Sequence, residues 1–220
     1  MNSDLDRENA ERVLAAMGEM VNNALAHIPD GPSRERVRDV FAFRTSLTNE
    51  SDRGAALMAA AFIDDRLMLL LKSRIVDDKK VSRRAFEFNG PLGTFSARID
   101  FCYLLGLIPK NARRDLHLIR SIRNKFAHQA GAMDFDDDSV RQLCESLAFH
   151  GVKPAASAGS KFRRSVMGIL TLVVQAMDET THIEAKLDYA IPDGTGAYKL
   201  VADVYKTIVG GEYILKHEHE

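Results

Sequence analysis

The chain has 220 residues, of which 45% are hydrophobic and 28% are charged, with 30 basic and 31 acidic residues. This length is sufficient for one well-buried core with a smaller appendage. A formal charge of -1 argues against the overall basic surface of many nucleic-acid-binding proteins. It leaves room for a local basic cluster, formed by Arg113, Arg114, Arg120, Arg123 and Lys125.

Targeting and redox features point to the cytoplasm. The N-terminal segment, residues 1–8, is polar and has no apolar signal core, and no run of about eighteen apolar residues predicts a membrane span. Cys102 and Cys144 lie in apolar contexts without metal-ligand spacing, which predicts buried free thiols in a reducing compartment. We therefore expect a cytoplasmic protein with no membrane contact, metal or cofactor.

Hydrophobic periodicity predicts helices almost throughout, and hence an all-α fold built as a multi-helix up-down bundle. The strongest helix runs from about Ser51, a suitable N-cap, to Ile75, and it carries no charge between Gly54 and Ile63. An element this apolar belongs at the centre of a bundle. Asp77–Lys80 is predicted as a solvated connection. The other predicted helices are Asp4–His27, Arg34–Phe43, Thr94–Leu107 with Thr94 as cap, Lys110–Gln129, Ser139–Phe149 and Phe162–Met177, and Ala197–Val209 is predicted as helix or strand.

The best linker in the chain is Gly151–Ser160, which is rich in Ala, Ser, Gly and Pro. It separates a helical bundle, residues 1–150, from residues 151–220, an apolar helix with a short helical C-terminal appendage. Phe162–Met177 is apolar on nearly every side, which predicts either core or an oligomer interface. We expect the second segment to pack on the bundle or on a partner subunit, and the protein to form a homo-oligomer.

The segment Leu116–His128 is the main candidate for function, because Arg123, Asn124 and His128 lie beside an apolar stripe at helical spacing. On a helix Asn124 and His128 share a face, and Arg120 extends that row by one turn. Arg123 lies about 140° around the helix from His128. Its side chain could curl back, the helix could end early, or a two-fold axis could bring one subunit's arginine to the other's histidine.

Two interpretations of these three residues remain open. In the first they cleave RNA without a metal: His128 transfers the proton of a 2′-hydroxyl, Arg123 stabilises charge on the phosphate, and Asn124 orients one of them. In the second they are structural. Arg123 then pairs with a buried carboxylate (Asp64, Asp65 or Asp100), and His128 binds carbonyl groups at the helix C-terminus.

Glu50, Asp52 and Arg53 lie at the start of the central helix, and they also have a structural and a functional interpretation. Carboxylates at a helix N-terminus are favoured by the helix dipole, which is a structural role. Alternatively, a carboxylate and an arginine at the mouth of the bundle support the site around Arg123.

Asp64 and Asp65 interrupt the apolar central helix, and a carboxylate buried there needs a partner. We expect an arginine of the bundle, Arg98 or Arg123, to supply it, and we count Asp64 among the supporting residues.

Several common sites have no signature in this sequence. It contains no Gly-rich phosphate loop, hydrolase triad order or zinc-ligand spacing. His217–Glu220 could chelate a metal loosely, but a frayed terminus rarely holds one. No helix-turn-helix stands free of the apolar core, so direct reading of the DNA major groove is not expected.

Four blocks, in this order, carry a family resemblance: Glu50–Leu57, Phe88–Ile99, Tyr103–Ile108 and Arg114–His128. They resemble the mannitol operon repressor-like (MltR) family over about residues 48–147. The resemblance implies an all-helical transcriptional regulator without a DNA-binding module of its own. Such a regulator is expected to repress through a protein partner.

A second resemblance overlaps the last block. The run Arg123–His128 is similar to the Arg-polar-x-x-x-His signature of HEPN domains, helical bundles that are often dimeric, metal-independent ribonucleases. This resemblance implies RNA as substrate, with Arg123, Asn124 and His128 at the arginine, polar and histidine positions. The expected function is therefore regulation by protein–protein contact, and the alternative is an endoribonuclease.

Overall fold

The computed structural model describes residues 12, 16, 18–20, 23, 25–129, 131–151 and 156–213, and all regular structure within these ranges is helical. The predicted all-α fold is confirmed. Most of the predicted Asp4–His27 helix lies outside the described residues. The helices with both ends described are α1 (Pro32–Asn49), α2 (Asp52–Arg74), α3 (Lys79–Phe86), α4 (Phe95–Leu104), α5 (Lys110–His128), α6 (Asp138–Glu145), α7 (Ala158–Glu179) and α8 (Thr195–Val209).

The helix α2 is the centre of the bundle, as its uncharged stretch predicts. The Ser51 side chain caps it by accepting a hydrogen bond from the Gly54 amide at 3.1 Å. Most of its alanines and leucines are buried, although Leu57 and Ala61 are exposed, and it packs against α1, α4, α5 and α7. Small residues in its first half, such as Ala55 and Ala59, allow these neighbours to approach closely.

The helix α4 follows a predicted cap and leads into α5. The Thr94 hydroxyl oxygen accepts a hydrogen bond from the Ala97 amide at 3.2 Å. Gly106 adopts a left-handed conformation, φ 71°, in the turn after α4, which favours glycine there. The chain then enters α5 after Pro109 and packs it against α2, α4, α6 and α7.

The helix α7 belongs to the core. Phe162, Val166, Ile169 and Val173 are fully buried, and the helix packs against α1, α2 and α6. The predicted linker is shorter than expected, because α7 already begins at Ala158.

The chain divides into two compact units, Met1–Glu184 with α1–α7 and Ala185–Glu220 with α8. The first unit includes α7, and the second unit begins at Ala185. The physical reason for including α7 is its burial within the first unit.

The helix α3 differs from the sequence prediction, which placed a solvated connection at Asp77–Lys80. Asp78 caps α3 by accepting hydrogen bonds from the amides of Lys80 and Val81, both at 2.9 Å. The helix is highly charged and anchors itself mainly through buried Phe86. It therefore lacks the apolar periodicity on which the prediction rests.

In the second unit, the segment Ala197–Val209, predicted as helix or strand, is part of the helix α8. None of its residues is buried. Tyr213 packs on Tyr198 and Tyr205, with ring centroids 5.8 and 5.4 Å apart, and the Tyr198 hydroxyl donates to the Tyr213 carbonyl at 3.0 Å. Gly210 ends the helix in the left-handed conformation, φ 76°.

Two further predictions concern the cysteines and membrane-spanning segments. Cys102 and Cys144 are free and buried, as predicted, and burial raises the pKa of each thiol to about 12. Among the described residues, every helix is too short or too polar to cross a membrane.

Candidate functional site

The last two turns of α5 carry the predicted site. The apolar stripe beside it is fully buried, as its helical spacing predicts: Ile119, Ile122 and Phe126 have no exposed surface. Burial of this stripe turns the polar residues of the same segment outward. Arg123 and His128 are exposed, and Asn124 is half-buried.

Arg123 is held by its neighbour in sequence. Its Nη1 donates a hydrogen bond to Asn124 Oδ1 at 2.9 Å, which joins two of the three predicted residues. Neither Asp64 nor Asp100 forms an ion pair with Arg123. Asp64 pairs with Arg98, and Asp100 pairs with Arg113. The predicted pairing of Arg123 with a buried carboxylate is thus not found.

His128 lies in the last turn of α5 with its imidazole exposed. It makes no hydrogen bond or ion pair with the part of the chain that the structure describes. Asn124 lies one turn before it on the same face, as expected from their spacing. The structure therefore brings Arg123 and Asn124 into contact and leaves His128 separate from both.

The carbonyl groups beyond α5 are bound by Arg53, not by His128. Arg53 Nη2 donates to the Gln129 and Gly131 carbonyl oxygens at 2.6 and 2.8 Å. A cation at this place stabilises the helix C-terminus and holds the chain that follows. Arg53 is therefore located at the end of α5, next in space to the residues that follow His128.

Asp52 and Glu50 have different environments. Asp52 Oδ1 pairs with Arg163 Nη2 at 3.0 Å, and its Oδ2 accepts a hydrogen bond from the Phe135 amide at 3.1 Å. Glu50 is exposed and lies so close to Gly54 that a Cβ there would be 2.2 Å from Glu50 Oε2. Asp52 is thus committed to structural contacts, whereas Glu50 is open to solvent.

Asp64 is half-buried, and its partner is Arg98, one of the two arginines expected for it, with Nη1 and Oδ1 2.8 Å apart. Burial raises the pKa of Asp64, and the nearby Arg98 offsets part of this rise. The charge of Arg123 makes a smaller contribution in the same lowering direction. Asp65 is exposed and lies near Arg66 at 3.9 Å.

Arg120, on the row of Asn124 and His128, is half-buried. Its Nε is buried, and within the described ranges the side chain has neither hydrogen bond nor ion pair. Among the predicted site residues it is the clearest case of an unsatisfied buried donor, a kind of group that is rare in folded proteins.

Two carboxylates organise the first half of α5: Asp115, which the sequence analysis did not identify, and Asp100, which it considered only as a partner of Arg123. Asp115 is fully buried, and its Oδ2 accepts hydrogen bonds from the Ala148 and Phe149 amides at 2.6 and 3.0 Å. The sequence indication of this burial was the position of Asp115 one helical turn before Ile119, which places it on the buried stripe of α5. Asp100, on α4, accepts hydrogen bonds from Arg113 and His117, at 2.7 and 3.0 Å.

A groove of about 790 Å³ runs along the first half of α5. Its lining includes the cations Lys110, Arg113 and Arg114 together with His117. Exposed apolar side chains at the end of α4 lie close by in sequence, and Arg113 stacks over the Tyr103 ring at 5.5 Å. The exposed apolar residues are Phe101, Tyr103, Leu104 and Leu105.

The described residues contain no group of three or more His, Cys, Asp and Glu side chains able to hold a metal ion. His217–Glu220, the one loose chelating sequence considered above, lies outside the described residues.

Comparison with known proteins gives a family and a fold. A model of the mannitol repressor family, MtlR, matches residues 48–188. The X-ray structure of the MtlR–HPr complex from Escherichia coli is similar to this chain, with a TM-score of 0.51 and 18% sequence identity, and the match covers 60% of this chain and 99% of that chain. No curated protein sequence matches.

The family match begins at Thr48, as does the range of the sequence resemblance, about residues 48–147, and it extends past Leu147 to include the whole of α7. This agrees with the position of α7 in the first compact unit. The matched range covers more than half of the chain. The protein therefore belongs to the mannitol repressor (MtlR, also written MltR) family.

Proposed function

We propose that the protein is a cytoplasmic transcriptional regulator of the mannitol repressor type and that it acts through contact with a protein partner. The observation that carries this proposal is the family match over residues 48–188. A fold shared with a chain of a solved MtlR–HPr complex supports an HPr protein as the partner.

The face formed by the end of α4 and the first half of α5 suits such a partner. It combines exposed apolar residues, of which Leu104 is 73% exposed, with the cationic groove of Lys110, Arg113 and Arg114. Protein interfaces commonly have an apolar centre surrounded by a polar rim. Leu104 is the natural anchor of this surface, because it is the most exposed apolar residue there.

The test is calorimetric titration of the purified protein with HPr from the same organism. We expect binding that Leu104→Asp weakens at least about tenfold, the usual effect of losing an apolar anchor. Leu200→Asp is the matched control, since Leu200 on α8 is similarly exposed at 67%. Absence of binding would contradict the HPr partner, and an equal loss in both variants would contradict the assigned surface. A specific shift of promoter DNA without any partner would contradict regulation by protein contact.

A second candidate function is metal-independent cleavage of RNA by Arg123, Asn124 and His128. It is favoured by the exposure of Arg123 and His128 and by the absence of a carboxylate partner for either within the described ranges. Proton transfer and phosphate stabilisation need an exposed imidazole and an exposed guanidinium that no carboxylate neutralises. Arg123 and His128 point about 140° apart on one helix, which favours a site shared by two copies in a homo-oligomer.

Single-stranded RNA incubated with the protein in EDTA tests this candidate. We expect cleavage that His128→Ala abolishes and that Lys125→Ala, a change of an exposed neighbour, leaves intact. An equal mixture of Arg123→Ala and His128→Ala chains should recover part of the activity if one copy supplies the arginine and the other the histidine. No cleavage, or cleavage unchanged in His128→Ala, removes the candidate.

A further inference from the structure

A cluster of positive charge lies on α3 and the end of α2. Within one eight-residue helix, Lys79, Lys80, Arg83 and Arg84 are all exposed. Lys72 and Arg74 extend the cluster at the end of α2. The protein as a whole has a formal charge of -1, so this cationic surface is local and is balanced by acidic residues elsewhere.

Few carboxylates neutralise this cluster. Asp78 is occupied as the N-cap of α3, with its Oδ1 accepting two backbone hydrogen bonds. Arg83 pairs with Glu87 at 3.2 Å, but both side chains are more than half exposed, so water competes with the pair. Lys79, Lys80 and Arg84 have no ion pair with any described residue. These cations are available to an external anion.

The C-terminal end of α3 is anchored by Phe86 and by the turn that follows the helix. Phe86 is buried, and the Leu92 amide donates to the Ala85 carbonyl at 2.8 Å. The turn that follows lies so close that a Cβ at Gly90 would be 2.2 Å from the Arg84 carbonyl oxygen. Because α3 is already helical and its C-terminal end is anchored, little ordering of its main chain opposes the binding of a ligand.

The cations form two pairs along α3, Lys79 with Arg83 and Lys80 with Arg84. The members of each pair are one turn apart, about 6 Å along the axis. Lys79 and Arg83 line two shallow grooves, of about 460 and 540 Å³, and Lys72 and His182 contribute to the first of them. The arrangement presents a row of positive charge rather than one closed anion pocket, which suits a ligand with repeated negative charges.

We propose that α3 and the end of α2 bind the phosphate backbone of double-stranded DNA. Contacts of Lys and Arg with phosphate oxygens position a protein on the duplex without carrying sequence information, so in this proposal the helix contributes affinity and not sequence recognition. A membrane surface fits less well, because an interfacial helix needs a free apolar face and the large apolar residue of α3, Phe86, is buried. An acidic protein fits less well because the apolar exposure of α3 itself is confined to Val81.

This surface goes beyond the protein-contact function and does not depend on it. A regulator of this kind would take its promoter specificity from a partner and part of its affinity from the DNA backbone. The two surfaces also involve different elements, α3 with the end of α2 here and α4 with α5 for the partner.

The experiment is fluorescence anisotropy of the full chain with a labelled duplex of random sequence, repeated over a range of KCl concentrations. Contact of four cations with phosphates predicts a slope of log K against log salt near about -3.6, from about -0.9 for each phosphate. Lys80→Ala/Arg84→Ala should reduce the magnitude of this slope by about 1.8 and weaken binding at low salt.

Lys199→Ala/Lys206→Ala is the matched control, since it removes the same charge from α8, and its slope should equal that of the wild type. Circular dichroism confirms that both double variants are folded. Absence of wild-type binding at low salt, or an equal loss in both double variants, overturns the proposal. Tighter binding to single-stranded RNA, or to anionic phosphatidylserine vesicles, than to the duplex also overturns the assignment to DNA.

Discussion

The two halves of α5 have the same apolar stripe but use their polar residues in different ways. In the first half the cations meet carboxylates: Arg113 and His117 bind Asp100, and Arg114 binds Asp115. In the second half, among described residues, Arg123 meets only the amide of Asn124, and His128 has no polar partner.

The difference originates outside α5. The first half lies beside α4, which supplies Asp100, and beside the chain after α6, which supplies the amides that Asp115 binds. At the end of the second half, the described side chain that binds the main chain is Arg53, a cation rather than a carboxylate. Charged residues on one helix are thus structural or available depending on what neighbouring elements bring to them.

The largest effect should come from Asp115→Ala in the first half. The substitution leaves the Ala148 and Phe149 amides without their buried acceptor, and each unsatisfied group costs about 1 to 3 kcal/mol. We expect the free energy of unfolding in urea to fall by about 3 to 5 kcal/mol. Asp138→Ala, at an exposed carboxylate in α6, is the control and should change it little. A loss below about 1 kcal/mol for Asp115→Ala would remove the distinction between the two halves.

Arg53→Ala tests what holds the end of the second half. It removes both hydrogen bonds to the chain after His128, which we expect to cost about 1 to 2 kcal/mol. Hydrogen exchange of the amides between residues 126 and 131 should quicken, whereas exchange in the first half of α5 should not change. Arg53→Lys keeps the charge but not the fixed planar geometry of the guanidinium, whose Nη2 donates both hydrogen bonds, and should give an intermediate rate. Uniform acceleration along α5 would show that the halves are not separately anchored.

Asp100→Asn tests the surface carboxylate through its pH dependence. Burial alone raises the pKa of Asp100, but hydrogen bonds from His117 and Arg113 outweigh it, and the net shift is downward. A lowered folded-state pKa stabilises the protein above the ordinary value of about 4, and this stabilisation is lost as the pH falls through the folded pKa.

Urea unfolding between pH 2 and 7 should therefore show wild type more stable than Asp100→Asn at neutral pH, by less than about 1 kcal/mol, and no difference at the acid end. Asp77→Asn, at an exposed carboxylate without a described side-chain partner, should show no such dependence. A difference that persists at pH 2 would assign the effect of Asp100 to packing rather than to charge.

The smallest effect should come from Arg123→Ala in the second half. Because the guanidinium is exposed and bonds only a neighbouring amide, we expect a change below about 0.5 kcal/mol in the free energy of unfolding. Any larger effect of this variant should appear in RNA cleavage or partner binding. A loss of 3 kcal/mol or more would mean that Arg123 is a structural residue like Asp115.

The sequence by itself determined the helical class, the central position of α2, the caps at Ser51 and Thr94, and the burial of both cysteines. These follow from periodicity and from short-range hydrogen bonds, which depend on residues within a few positions of one another. The family resemblance also needed no coordinates, and it located the start of the matched range at Thr48.

Only the tertiary structure decided which charges are satisfied and where the chain divides. It assigned Arg98 rather than Arg123 to Asp64, and it showed that Asp115 is buried. It also formed α3 from a segment without apolar periodicity, by burying Phe86, and it included α7 in the first unit. Each of these outcomes depends on contacts between residues far apart in the chain, and local sequence patterns carry no record of such contacts.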